Sequence, residues 1–333
     1  MSAAPLEFSP SRPAGHPDFD LPPRLEAEDG RPRAVGIEVE FAGLSAEQAA
    51  VVIQNALGGA IEQTDPNAFR IVGSSLGDLE VEIDSRILHP GKTSHNVIAE
   101  VGSRVASWLG SATSHVIPCE LVTGPLPMDR VHEFDRAVDA LRVAGARGTQ
   151  DGALYAFGLH FNPQAAGSSV GAILPVVRAF VLLNAWLRRQ VAPDATRSLM
   201  GFADPFPVDY VRRIADPAYG PDLAVFIDDY LAANPTRNRD LDLLPLLTHI
   251  DEARVRAVLP NEKIGSRPTF HYRLPDARVS DPGWSIAADW NRWVAVERVA
   301  HDTDRLDRLG AAFLDFPGDN KSWGDRAERI AFG

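Results

Sequence analysis

The sequence predicts an α+β fold, one antiparallel β-sheet with helices packed on one face, and three observations predict it. Candidate strands alternate with helical stretches along most of the 333 residues. Several of those strands switch residue by residue between apolar and charged side chains. Strands of a parallel sheet covered on both faces read as solid apolar runs, so alternation marks a sheet with one polar face. The composition, 45% hydrophobic and 23% charged, suffices for a core without staples.

The elements follow in order. Residues 1–32 hold Pro5, Pro10, Pro13, Pro17, Pro22, Pro23 and Pro32, which predicts an extended arm outside regular structure. A single folded domain is expected over 33–333. Its first strand is residues 34–41, with Val35, Ile37, Val39 and Phe41 on one face and Gly36, Glu38 and Glu40 on the other. Ser45, with Gln48 three residues on, forms a capping box for a helix that stops at Gly58 and Gly59. Residues 69–74 and 79–84 read as a hairpin turning near Gly77 and Asp78. Its second arm sets Leu79, Val81 and Ile83 against Glu80, Glu82 and Asp84.

A helix over 94–109 and a strand over 115–122 come next, then a helix over 128–144 introduced by Pro125 and Pro127. Residues 154–162 read as a strand, with His160 and Asn162 opposite Phe157, Leu159 and Phe161. A long apolar helix covers 170–190, and short helices broken by proline cover about 205–258. Residues 269–274 form a strand with His271 and Arg273 on one face, and residues 284–309 a final helix. No repeat of 20–50 residues is present.

Several function classes are excluded or disfavoured. The net charge of −12 disfavours binding to a nucleic-acid backbone. The single cysteine, Cys119, allows no intrachain disulfide and fits a reducing compartment. The first 33 residues show no apolar core of a secretory signal, and no run of about 18 apolar residues is apparent, so the expectation is a cytoplasmic protein outside the membrane. Walker A, Gly-x-Gly-x-x-Gly and Gly-x-Ser-x-Gly patterns are absent.

What remains is an acid–base pairing of motifs. If the strands of Glu38 and Glu40 and of Glu80, Glu82 and Asp84 are neighbours, up to five carboxylates share one surface. A divalent ion such as Mg²⁺ or Mn²⁺ relieves that repulsion. His160 and Asn162 suggest a ligand or metal edge. Arg237 and Arg239, in a polar loop, and Arg267 and Arg273, in and before the late strand, suit phosphate or carboxylate.

These segments together resemble the amidoligases of the carboxylate–amine ligase superfamily, which includes glutamine synthetase and glutamate–cysteine ligase. The resemblance runs from about Arg33 to Leu309. It rests on residues 35–41 (VGIEVEF), 79–85 (LEVEIDS), 120–125 (ELVTGP), 157–162 (FGLHFN), 234–239 (NPTRNR) and 267–273 (RPTFHYR). It implies a sheet curved around an active site that binds ATP with two or more divalent ions. Glu38, Glu40, Glu80, Glu82 and Glu120 are then metal-ligand candidates. His160, Asn162, His271 and Arg237 become cofactor-binding candidates, and Arg239, Arg267 and Arg273 catalytic ones. The segments at Glu82 and Glu120 both match one family strand, and Thr123-Gly124-Pro125 stands where that strand has Ser-Pro.

The implied chemistry is ATP-dependent amide formation through an acyl phosphate, on a small amino acid, peptide or amine. Two alternatives stay open: a phosphoryl transferase of guanidino-kinase type, and a nucleotide-binding pseudoenzyme with a regulatory role. A metal-dependent hydrolase is a further rival, separated by consuming no ATP. Homo-oligomerisation is also open.

Overall fold

The computed structural model of the chain describes residues 18–83, 118–152, 155–192 and 203–333. Among these, nine strands form one sheet: β1 (Ala34–Phe41), β2 (Ala60–Asp65), β3 (Ala68–Ser74), β4 (Gly77–Ile83), β5 (Cys119–Thr123), β6 (Leu126–Pro127), β7 (Leu159–Pro163), β8 (Leu241–Asp242) and β9 (His271–Tyr272). The order is β2-β3-β4-β5-β1-β7-β9-β8, with β6 on β1, and every pairing is antiparallel. The predicted antiparallel α+β architecture therefore holds.

The alternation in β1 decides which face is core. Val35, Ile37, Val39 and Phe41 have no exposed surface, and Val81, Leu121 and Leu159 lie level with Val39 across the sheet. Helix α1 (Ala46–Leu57) sits behind β3 and β4. Its predicted capping box is present, with Ser45 accepting from the Gln48 N–H and Gln48 accepting from the Ser45 N–H. The helix ends at Gly58 and Gly59, both at positive φ, and a Cβ on Gly59 would stand 2.8 Å from the Val72 carbonyl oxygen. Only glycine admits that turn, and it delivers the chain into β2, a strand absent from the sequence-based expectation.

The second half of the sheet is backed by aromatic packing. Helix α2 (Asp135–Val143) follows a 3₁₀ helix (Met128–Phe134), where the sequence predicted one helix over 128–144. Helix α3 (Val170–Val191) sets Phe180 edge-on to Tyr272, and helix α8 (Ala287–His301) places Trp290 against Phe161 and Trp293 against Tyr272. Between them come α4 (Val208–Ala215), α5 (Leu223–Ala233), α6 (Leu244–Ile250) and α7 (Glu252–Val258). Fully burying each large aromatic contributes about 2–3 kcal/mol.

Several boundaries differ from expectation. The predicted helix over 284–309 breaks at Asp302, whose carboxylate accepts from Arg305 N and caps α9 (Thr303–Leu314); α10 (Asn320–Phe332) closes the described chain. The strand expected over 269–274 forms a ladder only at His271 and Tyr272, with a single bridge from Thr269 to Gln164, and the one over 154–162 forms a ladder only from Leu159, with a single bridge from Gly158 to Asp276. Asp84, the helix over 94–109 and the start of the strand over 115–122 lie outside the described residues. No run of about 18 apolar residues is present in α3, which Arg178 and Asn184 interrupt. Helix α3 is long and apolar enough to cross a membrane by length and composition. Its apolar surface faces the core of this fold, with 61% of that window buried.

The arm is tied down from Asp18 onward. Asp18 and Asp20 carbonyl oxygens accept from Asn291 and Trp290, and Asp20 pairs with Arg298. At the foot of β1, buried Arg33 forks onto Glu297 of α8 at 2.7 and 2.8 Å, while Trp293 donates to the same carboxylate at 2.9 Å.

Candidate active site

The face opposite the core is built from rows of residues level across the strands. One row runs Glu80, Val122, Glu38, His160; the next runs Glu82, Glu120, Glu40. The two glutamate pairs are therefore not on neighbouring strands, as the sequence reading supposed. Strand β5 stands between them because it pairs with both β4 and β1, and its Glu120 lies opposite Glu82 on one side and Glu40 on the other.

Glu38 is the hub. Its Oε1 accepts from Asn162 Nδ2 at 2.7 Å and lies 3.6 Å from Arg267 Nη1. Its Oε2 is joined to His160 Nδ1 at 3.1 Å and stands 4.0 Å from His271 Nε2. Glu40 accepts from Gly158 N–H at 2.8 Å and faces His160 Nε2 at 3.9 Å. On the far side, Asp242 Oδ1 accepts from the Leu244 N–H at 2.9 Å; its Oδ2 lies 3.7 Å from His271 Nδ1 and 3.5 Å from Arg237 Nε. His160 and His271 are 2% and 4% exposed, and their rings meet edge to face.

Burial is unusually deep for such a polar set. Buried polar atoms normally find partners, yet His160 Nε2, both nitrogens of His271, Asn162 Oδ1 and Asp242 Oδ2 have no hydrogen-bond partner. Glu38, His160 and His271 each offer a ligand atom within 4.8 Å of the others.

Electrostatics sort the groups. Burial alone would raise the Glu38 carboxyl, but the His160 hydrogen bond and the Arg267 guanidinium 3.6 Å away outweigh it and hold it well below the usual carboxylate range. Burial pushes both imidazoles below the ordinary histidine value, so both are neutral with a lone pair available. At the outer end, burial and the neighbouring Glu80 raise Glu82, whose carboxyl also hydrogen-bonds Glu120.

The other candidate residues divide. Arg273 is 5% exposed, next to His271, and donates to the Arg237 carbonyl at 2.5 Å. Arg237 donates to the Lys263 carbonyl at 2.6 Å beside its approach to Asp242. Glu80 is exposed and lies opposite Arg70. Arg239 is not brought to the cluster. It donates to Asn234 Oδ1 at 2.9 Å, Pro205 O at 2.8 Å and Ala233 O at 3.4 Å, and so ties the end of α5 to the loop before α4. Asp242 was missed altogether. The Asp240-Leu241-Asp242 alternation is the signal that could have found it, but three residues before a leucine-rich helix read more readily as its cap.

A cavity of about 460 Å³ opens elsewhere, among α3, α4, α9 and α10, and is lined by Val181, Arg188, Phe206, Val211, Phe313 and Trp323. Its lining shares no residue with the cluster around Glu38, and it lacks the convergent titratable groups that chemistry needs.

The sequence profile of the family described as "Putative amidoligase enzyme" matches residues 31–295. That span takes in β1 to β9 and every member of the cluster. No curated protein and no solved structure matches the chain.

Proposed function

The chain belongs to this amidoligase family, and from that premise we propose that it joins a carboxylate to an amine at the expense of ATP, with Mg²⁺ or Mn²⁺, on the polar face of the sheet. One observation carries the proposal: Glu38 stands at the meeting point of two imidazoles, an amide and an arginine. An anionic hub with Arg267 3.6 Å away, and with Arg273 close enough to act on both imidazoles, offers both charge signs that phosphoryl transfer requires.

The residues fit a divalent cation. Carboxylates alternate across β4, β5 and β1, and buried imidazole nitrogens stand without hydrogen-bond partners. Glu38 and Glu40, with Glu82 and Glu120 outward, would hold the ions, which would supply positive charge to offset that of the phosphates.

The reaction proceeds in two transfers. A substrate carboxylate oxygen attacks the γ-phosphorus and ADP leaves, giving an acyl phosphate. The amine nitrogen then attacks the acyl carbon, inorganic phosphate leaves, and loss of a proton from nitrogen gives the amide. Arg267 and Arg273 offset charge on the transferred phosphoryl oxygens. His160, Asn162, His271 and Arg237 orient the nucleotide, and the deep burial of this face excludes water that would hydrolyse the acyl phosphate. A small amino acid, peptide or amine fits the family's chemistry.

The test measures ADP release from Mg·ATP against pools of amino acids, short peptides and polyamines, with product masses. A pool-dependent product heavier by the amine minus water, lost in Glu38→Gln and Arg273→Ala, is the expected result. A product heavier by a phosphoryl group would favour a kinase. Failure to bind ATP with either ion present would overturn the proposal.

A further inference from the structure

Asp242, at the end of β8, is a carboxylate with no exposed surface. Burying a charge is unfavourable unless an opposite charge or hydrogen bonds offset it. One oxygen, Oδ1, accepts from the Leu244 N–H at 2.9 Å. The other, Oδ2, has no hydrogen-bond partner and faces two groups, Arg237 Nε at 3.5 Å and His271 Nδ1 at 3.7 Å. Of the two, only the guanidinium is charged at every working pH. Arg237 is therefore the standing counter-charge of Asp242.

The pairing also fixes Arg237. Its side chain, in the polar loop between α5 and β8, keeps 32% of its surface open. A long side chain placed there samples many rotamers unless something holds it. Here Nε is buried and faces Asp242, while Nη1 donates to the Lys263 carbonyl at 2.6 Å. Two corners of the guanidinium are held, and the open part is left for an anion. The same turn reaches the other two arginines. The Arg237 carbonyl accepts from Arg273 Nη1 at 2.5 Å, and the Pro245 carbonyl accepts from the Arg267 N–H at 3.1 Å. We propose that Asp242 is a positioning residue, whose buried carboxylate holds Arg237 in one pose and so presents the guanidinium to the phosphates of the nucleotide. The inference rests on the ligase reading for what Arg237 binds, and goes beyond it by giving Asp242 a task. Coulomb's law separates this task from a plain charge effect by sign. Removing a carboxylate near an anion site makes the site more positive and, by itself, tightens the anion. Releasing Arg237 weakens the anion, because the side chain must then be ordered as it binds.

The experiment measures Mg·ATP binding by calorimetry in the full chain and in Asp242→Asn, which keeps an oxygen for the Leu244 N–H while removing the charge. Affinity is expected to fall about 3- to 10-fold, as when one long side chain must be ordered on binding. In an Arg237→Gln background the same Asp242→Asn change is expected to have no further effect, because the cycle isolates what passes between the two residues. A merely structural role for Asp242 would persist in that background. Unchanged or tighter ATP binding in Asp242→Asn would overturn the inference, as would an equal loss with Arg237 already replaced. Should Asp242→Asn fail to fold, proton exchange at Arg237 Nε in the native protein decides, the signal being assigned by its loss in Arg237→Lys. A protected Nε proton supports the hold, and a freely exchanging one sinks it. That readout needs no nucleotide. ATP binding with the expected dependence but no amide product would remove the ligase reading alone, while amide formation by Asp242→Asn at native ATP affinity would remove this inference alone.

Discussion

The tripeptide Glu-Val-Glu occurs twice in the sheet, as Glu38-Val39-Glu40 in β1 and Glu80-Val81-Glu82 in β4, and the two copies meet opposite fates. Both valines are fully buried and both glutamate pairs face away from the core. In β1 the side chains of Glu38 and Glu40 are only 13% and 5% exposed. In β4, Glu80 is exposed and Glu82 half-buried. Local pattern decides which face a side chain takes; strand order decides what waits for it there. β1 lies between β5 and β7, each of which adds polar groups to its face, whereas β4 lies one strand further out beside the β2–β3 hairpin.

The ion pairs beside the two strands test that contrast most strongly. Arg33 and Glu297, at the foot of β1, are 3% and 5% exposed, while Arg70 and Asp78, beside β4, are 44% and 42% exposed. Removing one member of a buried pair strands its partner, so Arg33→Ala is expected to cost about 3–5 kcal/mol. Arg70→Ala is expected to cost less than about 1 kcal/mol. Urea unfolding of both variants measures the difference, and equal costs would break the comparison.

The glutamates come next. On the proposed ligase reading, Glu38→Gln weakens the hold on the ion that would offset phosphoryl charge, and is expected to lower amide formation by about 10²- to 10³-fold. Glu80→Gln, opposite Arg70 and open to water, is expected to change it by less than about threefold. Steady-state rates under saturating ATP compare them; a Glu80→Gln loss as large as that of Glu38→Gln would put the chemistry on the outer strands instead.

Burial alone does not set the direction of a carboxyl shift, and Asp289 sharpens this. Asp289, in α8, is 5% exposed and pairs with Arg292, yet burial raises it to about 6, while Glu38 is held low by its surroundings. A carboxyl raised in the fold contributes stability below its unfolded value near 3.8 and loses it as pH rises through about 6. Between those limits the native protein is expected to lose up to roughly 3 kcal/mol relative to Asp289→Asn. Thermal unfolding from pH 4 to 7 checks it: parallel curves for the two proteins would contradict the shift.

Much of the frame was legible because it obeys local rules. The period-two alternation of residues 34–41 and 79–83 placed β1 and β4 and their faces, and the Ser45–Gln48 box with Gly58 and Gly59 bounded α1. β2 escaped because Glu62, Gln63, Thr64 and Asp65 show no apolar alternation; it forms as an outer strand held by β3 on one side only. β8 and β9 are two residues each, too short for any periodic signal; β9 forms on the edge that β7 offers, and β8 on the edge of β9. Of the candidate site residues, Glu38, His160, Asn162, His271 and Arg267 gather at one point, whereas Arg239 is engaged by Asn234 and backbone carbonyls and Glu80 faces water.

By itself the sequence determined the faces of single strands: which side chains enter the core and which turn outward. Those facts follow from side-chain alternation along a single strand. Only the tertiary structure decided that β5 separates the two Glu-Val-Glu strands, that Asp242 stands behind His271, and that Arg239 is spent on a loop. Each of these depends on strand pairings between residues far apart in the chain, and the pairing energy comes from partners that no local period specifies.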